Sequence, residues 1–99
     1  MPIYKPWIAF SIDNVALEKN ALGVYEIADQ NKFVIYIGEG VMKNRLSIHL
    51  RRMADGKFYR TLQMPSKLRC QQKERALQRA FRKVHKDLPF HNLQLGGLE

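Results

Sequence analysis

The amino-acid sequence predicts an α+β domain with a sandwich-like arrangement, in which a small three-stranded antiparallel sheet is flanked by helices. Two observations support this prediction. Residues 23–28 and 33–37 are rich in β-branched and aromatic residues and flank a polar break, while residues 41–54 and 73–86 repeat apolar residues at helical spacing. A chain of 99 residues fits one modest core. We therefore expect a single domain over residues 1–99.

The first part of the chain predicts little regular structure. Residues 1–10 alternate loosely and contain two prolines, which is typical at most of a short edge strand or a wrapping segment. The segment that follows, SIDNVALEKNALG, predicts a short helix that ends near Gly23.

A β-hairpin is predicted over residues 23–37, with the sequence DQNK as its turn. Pairing Ala28 with Phe33 across that turn places Tyr25 directly opposite Tyr36. Opposed residues share one face of a sheet with Cβ atoms about 5 Å apart, so the two phenols should project together. This register also divides the neighbouring apolar residues between the two faces: Ile27 and Val34 lie with the tyrosines, and Val24, Ile35 and Ile37 lie opposite.

Two helices are predicted after the hairpin. Gly38–Gly40 predicts a turn, and residues 41–54 fit a helix that closes near Gly56 and places Arg45 and His49, four residues apart, on one face. Residues 57–66 predict a loop, KLRCQQ a third strand, and residues 73–86 a second helix. Glu74 lies within about 20° of Phe81 on that helix, so its side chain should point towards the buried side.

The positive charge is confined to one part of the chain. The formal net charge is +8, but the segment from Lys43 to Lys86 holds 14 lysines and arginines against two acids. A confined basic surface suits a polyanion, because neutralising phosphates releases counterions. The alternatives are a solvated basic face without a ligand and, less favoured because the basic residues spread over several elements, a membrane-surface helix.

The remaining composition narrows the class of protein. A single cysteine, Cys70, excludes an intrachain disulfide and fits a reducing, cytoplasmic setting. No run approaches the roughly 18 apolar residues of a membrane span, and the amino terminus lacks the pattern of a signal peptide. We expect a soluble protein with no membrane partner.

Four features together resemble the GIY-YIG nucleases. They are GVY at residues 23–25, YIG at 36–38, the Arg45 and His49 pair on the following helix, and P-x-x-N at 89–92. The resemblance covers about residues 22–92. It implies a small three-stranded antiparallel sheet flanked by helices, and an endonuclease that hydrolyses phosphodiester bonds in DNA, or in structured RNA, with one divalent ion, Mg²⁺ or Mn²⁺.

The same resemblance assigns catalytic roles to residues of this chain. Tyr25 would help to activate the attacking water, and Tyr36 would line the same pocket. Arg45 would bind the scissile phosphate, and His49 would handle a proton or contact the phosphate. These roles suit phosphoryl transfer, which needs positive groups around developing oxyanions.

The metal ligand departs from the family pattern. Counting back from Asn92 with the usual family spacing leads to Ala80, which cannot bind a metal. Glu74, six residues earlier, is the only acid on this helix before Asp87. We therefore assign the metal to Glu74, and we expect Asn92 to support the site. The residues assigned to nucleic-acid binding are Lys43, Arg52, Arg75, Arg79 and Asn92.

Two classes of function follow from these features. The first is the metal-dependent endonuclease, and the second is a nucleic-acid-binding protein that retains the fold and basic surface but does not cleave. A protein-interaction module with a basic face is a third, weaker alternative. The chain shows no separate DNA-recognition module, so specificity would come from a homodimer, a partner protein or nucleic-acid shape.

Overall fold

The computed structural model describes residues 3 and 5–95, which form an α+β fold; the remaining residues of the predicted domain lie outside this description. Its sheet is antiparallel, with four strands in the order β1-β4-β2-β3. The elements in chain order are β1 (Ile8–Ala9), α1 (Ile12–Ala16), β2 (Leu22–Ala28), β3 (Val34–Val41), α2 (Met42–Arg52), β4 (Phe58–Gln63), α3 (Lys67–His85) and α4 (Phe90–Leu95).

The hairpin of β2 and β3 forms as predicted, but its register differs. Tyr25 lies opposite Gly38, and Tyr36 lies opposite Ile27. The predicted pairing of Tyr25 with Tyr36 is therefore wrong by two residues. Because side chains alternate with a period of two, a shift of two residues leaves both tyrosines on one face of the sheet.

The turn accounts for the shift. The Asp29 carboxylate accepts hydrogen bonds from the backbone N–H groups of Asn31 and Phe33, at 2.9 and 3.0 Å. These bonds support a turn longer than two residues. A bulge follows, because Ala28 pairs with Val34 while Ile27 pairs with Tyr36, and this leaves Ile35 as the extra residue.

The bulge reverses two face assignments. Ile35 packs in the core cluster that contains Tyr25, Ile27 and Tyr36, and Val34 packs against the cluster on the opposite face. The predictions for Ile35 and Val34 were therefore wrong, because a strict alternation cannot anticipate an unpaired residue.

Strand β3 continues through Gly38–Gly40, where the sequence predicted a turn. Helix α2 follows directly and confirms the predicted helix, with Met42, Leu46 and Met53 at its buried side and end. Helix α1 is confirmed as a short helix capped by Ser11, but it ends at Ala16.

The predicted third strand is wrong, and the loop before it is a strand. Residues 58–63 form β4, which pairs with β2, and KLRCQQ forms the first turns of α3. The Ser66 hydroxyl accepts a hydrogen bond from the backbone of Arg69 and so begins the helix. The sheet has four strands rather than three, because β4 and the edge strand β1 both join the hairpin.

Helices cover both faces of the sheet. Tyr25 and Leu46 belong to one core cluster, on the side of α1 and α2, whereas Val24 and Leu77 belong to the other, on the side of α3. This division confirms that the hairpin lies in the middle of a layered fold. Within the described residues, no helix is both long and apolar enough to cross a membrane.

Candidate active site

Tyr25, Tyr36 and His49 form one buried aromatic cluster between the sheet and α2. The Tyr25 hydroxyl lies 3.0 Å from Nε2 of His49. The ring centroids of the two tyrosines are 6.2 Å apart, and those of Tyr36 and His49 are 4.6 Å apart. Both tyrosines are fully buried and His49 is 4% exposed. The structure thus brings together three of the residues that the sequence assigned to the site.

Gly38 makes room for this cluster. A Cβ atom at Gly38 would lie 2.6 Å from the hydroxyl oxygen of Tyr25 and 2.7 Å from Cε2 of Tyr36. Real Cβ atoms do not approach other atoms so closely, so a side chain here would push the phenols out of place. The glycine of the YIG sequence is therefore a packing requirement of the two tyrosines.

Tyr36 carries a buried hydroxyl group without a hydrogen-bond partner among the described residues. Leaving a buried hydroxyl unpaired costs about 1–3 kcal/mol. Such groups in a native structure commonly mark a place where a water, an ion or a substrate atom binds.

Arg45 lies at the rim of the cluster, one helical turn before His49. Its Cγ and Nε atoms would be 3.0 and 3.3 Å from a Cβ at Gly40, so the side chain crosses the backbone of β3 at this glycine. Gly40 has φ +139°, a backbone conformation that favours glycine. Arg45 therefore lies close against the sheet and is half-buried.

Burial and neighbouring cations lower the pKa of His49. The largest cause is desolvation, followed by the charges of Arg45, Arg52 and His91, and together they bring the pKa to about 4. The imidazole is therefore neutral at pH 7. In the tautomer that carries its proton on Nδ1, Nε2 accepts a hydrogen bond from the Tyr25 hydroxyl; in the other tautomer, Nε2 donates to it.

Glu74 is half-buried on α3, as its inward orientation predicted. Burial raises the pKa of its carboxyl to about 7, with a further increase from Glu39 and opposing effects from Lys67, Arg75 and Arg45. Glu39, which acts on Glu74, and Gly40, which contacts Arg45, are adjacent residues of edge strand β3. Glu74 on α3 and Arg45 on α2 therefore lie near the same part of this strand, on opposite faces of the sheet. Arg45 thus acts electrostatically on both His49 and Glu74.

The oxygen donors at this edge fit a Mg²⁺-type ion better than a zinc-type ion. Within residues 3 and 5–95, no three His, Cys, Asp or Glu side chains converge as a metal cage. Mg²⁺ retains most of its waters and is commonly held by one or two carboxylates together with substrate phosphates. Glu74 provides one such carboxylate. Glu39 lies near it and pairs with Lys67, whose Nζ is 2.8 Å from Oε1.

Asn92 is hydrogen-bonded to the backbone of β3. Its Oδ1 accepts from the N–H of Ile37, and its Nδ2 donates to the carbonyl of Ile37, both at 2.8 Å. The side chain is buried. Asn92 therefore pairs with the outer edge of β3 and supports the strand that carries Tyr36 and Gly38. These two bonds agree with the expectation that Asn92 supports the site, and its assignment to nucleic-acid binding stays a prediction.

The other residues assigned to nucleic-acid binding lie on the surface. Arg52, Arg75 and Arg79 are exposed, and Lys43 is half-buried. Arg75 and Arg79 line a shallow groove of about 240 Å³ beside α3. Gln78, Arg82 and Leu88 complete its lining.

His91 is a neighbour of the site that the sequence pattern does not predict. His91 on α4 is half-buried, and its Nε2 lies 2.9 Å from Oδ1 of Asp55, which follows α2. This pair ties α4 to the end of the helix that carries His49, and His91 contributes to the low pKa of His49. No spacing in the sequence signals this contact, because it joins two residues 36 positions apart.

The fold and this cluster define a small, basic α+β protein with a buried tyrosine–histidine pair beside an edge strand. The chain belongs to the family described as "Domain of unknown function (DUF7508)", whose model matches residues 1–87. The search of curated proteins found no match to the chain.

Proposed function

We propose that this protein is a metal-dependent endonuclease of the GIY-YIG type, which hydrolyses phosphodiester bonds in DNA or structured RNA. One observation carries the proposal: the Tyr25 hydroxyl is hydrogen-bonded to a neutral His49, and Arg45 acts on both His49 and Glu74. These residues come from three elements, β2, α2 and α3, and the charge of Arg45 acts on His49 on one face of the sheet and on Glu74 of α3 on the other.

Arg45 binds the scissile phosphate in this proposal. Its planar guanidinium offers paired donors to two phosphate oxygens, and it stabilises the charge that develops on them. The contact of Arg45 with the backbone at Gly40 limits the freedom of its stem. A partly ordered side chain loses less entropy when it binds the phosphate.

Tyr25 orients the attacking water, and its hydroxyl is hydrogen-bonded to His49, which takes the phenol proton once the bound phosphate has raised the pKa of His49. A free phenol has a pKa near 10 and is a poor base at pH 7, so it needs a neighbour that takes its proton. Nε2 of His49 lies within hydrogen-bond distance for this transfer. When a phosphate binds Arg45, its negative charge offsets the guanidinium and raises the pKa of His49, so His49 becomes a better base as the substrate arrives.

Glu74 holds the divalent ion. When bound, the ion supplies positive charge to the phosphate and to the leaving oxygen. Glu74 must be ionised to bind a cation, and its raised pKa means that protons compete with the metal near neutral pH. The exposed arginines Arg75 and Arg79 hold the flanking phosphates of the nucleic acid.

The test is the nicking of supercoiled plasmid in Mg²⁺ or Mn²⁺, with an EDTA control. We expect cleavage by the wild type and its loss in Tyr25→Phe, Arg45→Ala and Glu74→Ala. Ala54→Leu, an exposed change outside the site, serves as the control for handling and folding. If Glu74→Ala cuts as fast as the wild type, the metal assignment is wrong.

A nucleic-acid-binding protein without cleavage is the second candidate, and one observation favours it. Tyr25 has no exposed surface and His49 has only 4%, so a phosphate reaches them only after the covering side chains move. This candidate predicts tight, salt-sensitive binding to DNA or RNA and no nicking in any divalent metal. Failure to bind either nucleic acid at low salt would contradict both candidates.

A further inference from the structure

A second concave surface lies away from the tyrosine cluster. It is a groove of about 340 Å³ between the tip of the hairpin and α3, on the opposite face of the sheet. Its walls are mostly apolar and include Val34, Ile37, Leu77 and Phe81. Sites for small planar molecules typically have this size and character, with a few polar groups that fix orientation.

The polar group in this groove is a buried carboxylate. Glu26 lines the groove and is 3% exposed. Its Oε1 accepts a hydrogen bond from Nε of Arg60 at 2.7 Å. A carboxylate has room for more than one donor, so its place in the lining of this apolar groove favours an occupant that carries N–H groups.

An aromatic wall lies beside this carboxylate. Phe33, Phe81 and His85 pack against one another, with centroid distances of 6.1 Å between the two phenylalanines and 4.2 Å between Phe81 and His85. Phe33 is 49% exposed, so apolar ring surface remains open to the groove. Such surfaces bind flat heterocycles by stacking and edge contacts.

The rim of the groove is basic. Lys32 and His85 line it, and Arg60, which is hydrogen-bonded to Glu26, is also part of the lining. The aromatic wall, the carboxylate and the basic rim would suit an occupant that has a flat ring, N–H donors and a phosphate. A nucleotide has all three. These groups suit a base within a nucleic-acid strand, the partner that the proposed function requires.

The carboxylate discriminates among the four bases. The Watson–Crick edge of guanine presents two adjacent N–H donors, which match the two oxygens of a carboxylate. The other bases place an acceptor beside their donor, and that acceptor would face the second carboxylate oxygen. In a duplex this edge is already paired, so only an unpaired base is available for such recognition.

We propose that this groove binds an unpaired guanine of a nucleic-acid strand, with Glu26 as the residue that determines specificity. The inference rests on the proposed nucleic-acid partner, but it concerns a site separate from the tyrosine cluster. Arg60 connects Glu26 to the single tryptophan of the chain, because its guanidinium carbon lies 4.0 Å from the ring centroid of Trp7.

Trp7 fluorescence provides the test. We titrate the full chain with thymine-only single strands, with matched strands that contain one guanine, and with the four nucleoside monophosphates. We expect the guanine strand to change Trp7 emission and to bind about tenfold more tightly than strands with adenine, cytosine or thymine at that position. Guanosine monophosphate should be preferred among the free nucleotides.

Two variants locate the effect. Glu26→Gln should abolish the preference for guanine, and Ala80→Leu, which fills the groove without changing the Glu26–Arg60 pair, should weaken guanine binding by about tenfold. The same change at the exposed Ala54, Ala54→Leu, should have no effect. Far-UV circular dichroism checks that each variant is folded.

The inference is overturned if the strands bind equally, if Glu26→Gln retains the preference, or if only free guanosine monophosphate binds. Salt-sensitive binding of the thymine-only strand separates this failure from that of the proposed function. If the thymine-only strand binds and the guanine strand binds no more tightly, only the assignment of the groove to guanine is wrong.

Discussion

Glu74 provides a prediction that tests the site through stability rather than through activity. Burial and Glu39 raise the pKa of this carboxyl from 4.5 to about 7. The folded chain therefore binds a proton more tightly than the unfolded chain. The resulting stabilisation is complete below pH 4.5 and is lost as the pH rises through 7.

The size of the effect follows from the shift and from the exposure of the side chain. Each pKa unit corresponds to 1.36 kcal/mol, and the side chain is half-buried, so solvent screening reduces the effect to about 1–2 kcal/mol. We expect Glu74→Gln to lack this loss. The difference in free energy of unfolding between the variant and the wild type should therefore grow by that amount between pH 5 and pH 8.

Urea unfolding followed by far-UV circular dichroism measures this difference at several pH values. Two controls sharpen the experiment: Glu39→Gln should move the transition to lower pH, and Asp13→Asn, an exposed change, should leave it unaltered. At pH 8, Mg²⁺ should restore part of the wild-type stability, because it binds the ionised carboxylate. A constant difference between wild type and Glu74→Gln from pH 5 to pH 8 would refute the reasoning.

Three substitutions near the cluster have expected effects on unfolding free energy, each measured by chemical denaturation. Tyr36→Phe removes an unpaired buried hydroxyl and should leave stability unchanged or raise it by up to about 1 kcal/mol; a loss above 1 kcal/mol would show that the hydroxyl is paired. Asn92→Ala leaves the N–H of Ile37 unpaired and its C=O with only the 3.4 Å hydrogen bond from Gln78, and should cost about 1–3 kcal/mol, whereas an exposed change such as Leu93→Ala should cost far less. Gly38→Ala places a methyl group against Tyr25 and should cost about 1–3 kcal/mol; unchanged stability would contradict the close packing.

The same-face placement of Tyr25 and Tyr36 could be predicted from the sequence, because it depends only on the alternation of side chains along strands. Their register could not. It depends on the Asp29 side chain, which organises a longer turn, and on the unpaired residue Ile35. A bulge of one residue leaves no distinct pattern in a run of apolar residues.

The third strand was misassigned for a different reason. Residues 58–63 contain the β-forming pair Phe58 and Tyr59, but the polar residues around them obscured the strand. The segment KLRCQQ follows Pro65 and Ser66, which is a helix start signal that the sequence does contain. The role of Asn92 required the order of strands, because only an edge strand leaves backbone groups for a side chain to bind.

The central claim, that Tyr25 and Arg45 act in one phosphate-cleaving site, is tested most directly by a double-mutant cycle on single-turnover cleavage of plasmid DNA in Mg²⁺. Residues that act as a unit give strongly non-additive losses. We expect Tyr25→Phe with Arg45→Ala to be no slower than the slower single variant. Rate losses that multiply, or a wild-type chain that binds DNA without cutting it, would contradict the claim.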